Sequence, residues 1–189
     1  MSRTHALIKH PKRTLAALGL ALAAVGVAVG SGASFGAQTA NPSNTFSSGT
    51  LTMSNSKDNL AVLTAANMKP GDSATGTVDI ANTGSLDGTF SLSRPVVDDS
   101  DVANPMSQKM NLVVRDCGTF VDATAPVCDG TKPQVYAGTI AAMTDTNTLG
   151  TYTPSDKHRY EFVATFDPSV GDVYQGASTT ATFQWNAVQ

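Results

Sequence analysis

The sequence predicts an all-β protein, a jelly-roll-like β-sandwich of about seven or eight strands that follows a cleaved helical signal peptide. Three observations carry that expectation. From Thr45 onward the apolar residues recur with period two, and no 3.6-residue stripe persists over three turns. Fourteen of the fifteen acidic residues are Asp, with Glu161 the single Glu, a bias that suits turns and strand ends over helices. Each strand-like run is short and bounded by Pro, Gly, Asn or Asp.

The first element is an export segment. Arg3, Lys9, Lys12 and Arg13 make a basic start, and Leu15 to Val29 is an uninterrupted apolar run. That run is short for a membrane span, which needs about 20 residues, and suits a signal-peptide core. The small residues of SGASFGA place cleavage after Ala33, before Ser34, or after Ala37. The expected organisation is therefore a signal peptide over 1–33, an extended N-terminal segment over 34–47, and one sandwich domain over 48–189. Membrane attachment is expected only through the uncleaved precursor. Gly26 and Gly30 form a GxxxG pair, which in such a segment reads as small-residue filler.

Without that segment, 8 Lys and Arg face 15 Asp and Glu, a net charge of about −7. A surface of that sign argues against nucleic acid as a partner. The strands follow in order: TFSSGTLTMSN, TGTVDIAN, GTFSLSR, MNLVVRDC, QVYAGTIAAM, DKHRYEFVATFD and ASTTATFQWNAV. In the sixth, Tyr160, Phe162, Ala164 and Phe166 share one face; in the last, Ala181, Phe183, Trp185 and Ala187 do. Lys69-Pro70-Gly71-Asp72 reads as a turn, with Pro where φ must be near −65° and Gly where φ must be positive. The NTGS break after Ile80 is either a hairpin or an arch to the opposite sheet. A helical turn is allowed only within 97–110, kept short by Pro105.

Cys117 and Cys128, an even pair in an exported chain, read as a disulfide worth roughly 3 kcal/mol. GASFG, Gly32 to Gly36, matches a serine-hydrolase pattern but lies at the cleavage site rather than between a strand and a helix. His158 is the only histidine left after cleavage. Zinc catalysis needs three protein ligands, so His158 reads as a surface residue at a strand start. Asp98, Asp99 and Asp101 could ligate Ca²⁺, yet they lack the glycine and distal glutamate of an EF-hand loop and read as a solvated acidic loop. Phe162, Phe166, Phe183 and Trp185 fit core packing better than a sugar-stacking platform. No catalytic, metal-binding or cofactor-binding residue is assigned, and no cofactor is expected.

The ordered set NTFSSGTLTM, NMKPGD, GTVDIANTGSLDGTFSLS and YQGASTTATFQWNAVQ, behind a signal peptide, resembles the TasA/camelysin family of secreted proteins, whose signal peptides are removed by a SipW-type signal peptidase. The resemblance implies a jelly-roll domain and, for the TasA branch, extracellular biofilm-matrix fibres in which the N-terminal segment of one subunit, here Ser34 to about Ser47, is donated as a strand to the next. It implies self-association, or association with sister matrix proteins, on the outside of a bacterial cell. The camelysin branch implies the alternative, a zinc metalloendopeptidase at the cell surface. No ligand motif in this sequence receives that activity, and the expectation is a non-catalytic structural protein.

Overall fold

The computed structural model describes residues 47–121, 124–143 and 146–189. The signal peptide, the Ala33–Ser34 cleavage position and nearly all of the 34–47 segment lie outside them. Among the described residues there are eight strands: β1 (Met53–Asn55), β2 (Ser73–Asn82), β3 (Gly88–Asp99), β4 (Met110–Thr119), β5 (Gln134–Thr139), β6 (Asn147–Tyr152), β7 (Lys157–Phe166) and β8 (Thr179–Val188). They form two antiparallel sheets, ordered β1-β2-β7-β4-β5 and β6-β3-β8. The all-β sandwich expected from the period-two pattern is the observed fold.

The core lies between the sheets and follows the alternation. Val78 and Ile80 of β2, Leu112 and Val114 of β4, and Tyr160, Phe162 and Ala164 of β7 point in from the larger sheet. Phe90 and Leu92 of β3 and Trp185 of β8 meet them from the smaller one. Trp185 tilts against Tyr160 with ring centroids 5.0 Å apart, and Phe162 meets Phe183 at 5.0 Å. These contacts span the two sheets, so the aromatic residues are core packing and not a surface platform.

The turn before β2 closes as its residues require. Asp72 N donates to Lys69 O at 2.9 Å, and Gly71 sits at φ +91°, a conformation costly for any residue with a Cβ. Lys69 N also donates to Asp72 Oδ2 at 2.8 Å. The NTGS break resolves as an arch, because β2 and β3 belong to different sheets. Asn82 holds it. Fully buried, it donates through Nδ2 to Leu86 O and Tyr152 O and accepts from Gly84 N through Oδ1.

Several expectations need correction. Of the described part of TFSSGTLTMSN, 47–55, Met53–Asn55 is strand, although the carbonyls of Thr50 and Thr52 still accept the amides of Ser85, Leu86 and Thr83. The fifth run stops at Thr139 and turns, with Ala142 N donating to Thr139 O. β6 was not foreseen, since a register shift opposite Phe90 and Ser91 breaks its alternation. β3 runs on to Asp99 past Pro95, which a second register shift accommodates between Ser93 and Val96. The helical turn is a 3-10 turn at Met106–Gln108.

Candidate functional site: an open seam beside the last strand

Among the described residues β8 is an outer strand of its sheet, paired with β3 alone. It is ten residues long, and TTATFQWNAV contains neither a charge nor a proline. Sheet edges are usually blunted by short length, charges, proline or bulges. β1 has three residues, β5 and β6 have six each, and the pairings of both β5 and β6 contain a register shift. β8 is the longest outer edge among the described residues and carries neither charge nor proline, although its pairing with β3 also shifts register between Ser93 and Val96.

Two hollows lie along it. A groove of about 720 Å³ runs between β1 with the residues after it and Ala181–Trp185 of β8. A second cavity of about 830 Å³ is lined by Met68, Met106, Met110, Phe166, Ala181 and Phe183, among others. Ala181 and Phe183 border both. Thr179, at the start of β8, lines the larger cavity and keeps its Oγ1 buried without a hydrogen-bond partner, a condition that costs free energy until a partner arrives. Sequence reasoning named no residue here as functional. The readable signal was the uncharged, proline-free run 179–188.

His158 is not the surface residue expected. It sits at the start of β7, eight residues from Phe166, on the same side of the strand as Tyr160. Its Nδ1 lies 2.9 Å from Asp116 Oδ2, and because a carboxylate only accepts, Nδ1 is the donor. Its ring stacks on Tyr152 at 4.4 Å and lies parallel to Tyr160 at 6.2 Å. Behind it the hydroxyls of Tyr152 and Tyr160 share a hydrogen bond. Burial pushes the pKa of both phenols up, holding them neutral.

The remaining candidates are placed as follows. Cys117 and Cys128 form a disulfide with Cα atoms 4.9 Å apart, Cys117 turning inward where β4 shifts register against β7. Asp98, Asp99 and Asp101 do not converge on one point. Asp99 accepts from Ser107 N and Ser107 Oγ, while Asp101 accepts from Ala103 N and Asn104 N. Those bonds hold the Asp101 carboxyl below the usual range, the Asn104 side-chain amide first among them. Among the described residues no three His, Cys, Asp or Glu side chains group as a metal site.

These features define a class: a two-sheet antiparallel β-sandwich with, among the described residues, one long uncharged outer strand beside an open seam. Residues 12–105 match the family model described as camelysin metallo-endopeptidase, in line with the resemblance the sequence showed. No curated protein matches the chain. Among solved structures, the sporulation control protein Spo0M from Bacillus subtilis aligns at 12% identity with a TM-score of 0.26, covering 73% of this chain and 48% of its own. The chain thus spans about half of that protein, and a likeness at this level carries no argument.

The family description implies a metal ion, and the described residues do not fit one. The matched span 12–105 contains no His, Glu or Cys. Outside it, His158 is engaged with Asp116 and packed against Tyr152, and among the described residues the pair is not joined by a third His, Cys, Asp or Glu. No catalytic step is derived through a metal.

Proposed function

We propose that this chain is a secreted structural protein, a subunit of a bacterial extracellular matrix or cell-surface fibre that assembles by strand donation. The observation that supports this reading is the outer edge of β8, unpaired among the described residues, ten uncharged residues with hollows along much of their length. An extended segment from a second copy gains backbone hydrogen bonds along such an edge and buries its alternate side chains in the hollows. The 34–47 segment is the donor. It is nearly uncharged and becomes a free N-terminal arm on cleavage after Ala33, with Pro42 limiting where pairing can run.

Purified mature protein beginning at Ser34 is expected to polymerise, and protein lacking 34–47 to remain monomeric. Polymers that form equally well without the segment, or mature protein that stays monomeric under all conditions, would overturn strand donation.

The family description favours a second reading, a zinc endopeptidase at the cell surface. Stoichiometric bound zinc with casein cleavage abolished by His158→Ala would establish it. Metal-free protein without proteolysis would remove it.

A further inference from the structure

Residues 60–68, LAVLTAANM, cross the seam between the two hollows. Ala61 and Val62 border both, as Ala181 and Phe183 of β8 do. Val62 and Leu63 are half-buried against the core. The segment approaches β2 so closely that a Cβ added to Gly76 would lie 2.0 Å from Val62 O and 3.0 Å from Leu63 Cβ. Glycine is required at that crossing.

The hold on this segment is apolar contact without backbone pairing. Among the described residues, no backbone hydrogen bond involves Ala61 through Met68, whereas Leu60 N still donates to Lys57 O and Lys69 N to Asp72 Oδ2. Each end of the segment is set by an asparagine in the left-handed region, Asn59 at φ 57° and Asn67 at φ 53°. Asparagine tolerates that region better than other residues with a side chain. A segment packed by a few side chains, unbonded along its backbone and turned at both ends, is the kind that opens locally at low cost.

We propose that residues 60–68 are a strap that plugs the acceptor seam of the monomer and swings out, about Asn59 and Asn67, when a donated strand pairs along β8. This rests on the reading of β8 as the acceptor edge and adds its regulation. Thr179 to Trp185, the β8 residues that line the hollows, span roughly 20 Å at strand rise. A strand laid along them must pass the partition formed by Ala61 and Val62. The strap shields the edge before assembly and makes its own displacement the slow step. The incoming strand supplies the backbone pairing that the strap does not, and it offers Thr179 Oγ1 a polar backbone within reach.

The test uses the full mature chain and follows polymerisation by light scattering, with limited proteolysis of monomer and polymer mapped by mass spectrometry. Gly76→Ala drives the strap off β2. Asn59→Val and Asn67→Val strain its ends without touching a sheet, and they decide the matter where Gly76→Ala does not fold. Each strap variant is expected to shorten the lag by about fivefold, the rate equivalent of left-handed strain at one β-branched residue. Cleavage within 60–68 is expected to rise on going from monomer to polymer. Wild-type protein that polymerises only with 34–47 present, but with variant lags unchanged and the strap equally protected in both forms, overturns the strap and leaves strand donation standing. Wild-type protein that never polymerises, or does so without 34–47, overturns both.

Discussion

His158 Nδ1 donates to Asp116 Oδ2 at 2.9 Å, joining β7 to β4 at the end of the core layer. The pair closes a stack in which His158 covers Tyr152 and Tyr152 covers Phe90 at 4.2 Å. A histidine so committed is part of the packing. His158→Ala removes a stacked ring and leaves Asp116 without this partner, so unfolding free energy should fall by about 1–3 kcal/mol. His158→Phe, which keeps a ring, should lose less. Urea titration of the three proteins checks this; an alanine variant as stable as wild type would contradict it.

Asn82 offers a sharper stability test. Asn82→Ala strands Leu86 O, Tyr152 O and Gly84 N, and a cost of about 3 kcal/mol is expected from buried groups left unsatisfied. Asn82→Asp turns an oxygen toward two carbonyls and should cost more at neutral pH than alanine does. Reversal of that order in denaturant unfolding would show that the amide donor is not what holds the arch.

The disulfide closes a loop with a sequence separation of 11. Its removal by the double change Cys117→Ala and Cys128→Ala should cost about 3 kcal/mol in the chain-entropy account. Alanine suits the buried Cys117 position better than serine, which would bring in a hydroxyl needing a partner. Thermal melts with and without reductant, on both proteins, provide the comparison: reductant should lower the wild-type melting temperature and leave the variant unmoved.

Alkaline pH should destabilise the fold through the Tyr152–Tyr160 pair. Burial raises both phenols above their unfolded value of about 10, so the folded state keeps them neutral where the unfolded chain ionises. Their contribution is complete below about pH 10 and is lost as pH rises from there toward the folded values. Urea midpoints at pH 8, 10 and 11 should fall more steeply for wild type than for the Tyr152→Phe, Tyr160→Phe double variant. Identical slopes would show that other groups govern the alkaline limit.

Much of this protein was legible because its strands are half-buried and regular. Val78 with Ile80, Tyr160 through Phe166, and Phe183 with Trp185 fell on the faces that alternation assigns, and Pro70-Gly71 marked its turn. β6 escaped because a register shift interrupts the alternation in NTLGTY. The Asp98, Asp99 and Asp101 cluster looked like one feature in sequence and separated in space, since Asp99 is drawn to Ser107 and Asp101 to its own turn.

By itself the sequence determined the fold class, the inward faces, the 69–72 turn and the cysteine pair, all of which rest on local periodicity, turn chemistry or residue count. Only the tertiary structure decided that Asn82–Gly88 is an arch, that His158 is half-buried against Tyr152, and that β8 is, among the described residues, an outer edge with 60–68 beside it. The physical reason is range. A side chain's face follows from its neighbours along the chain, whereas the partner of a strand's edge is set by segments dozens of residues away.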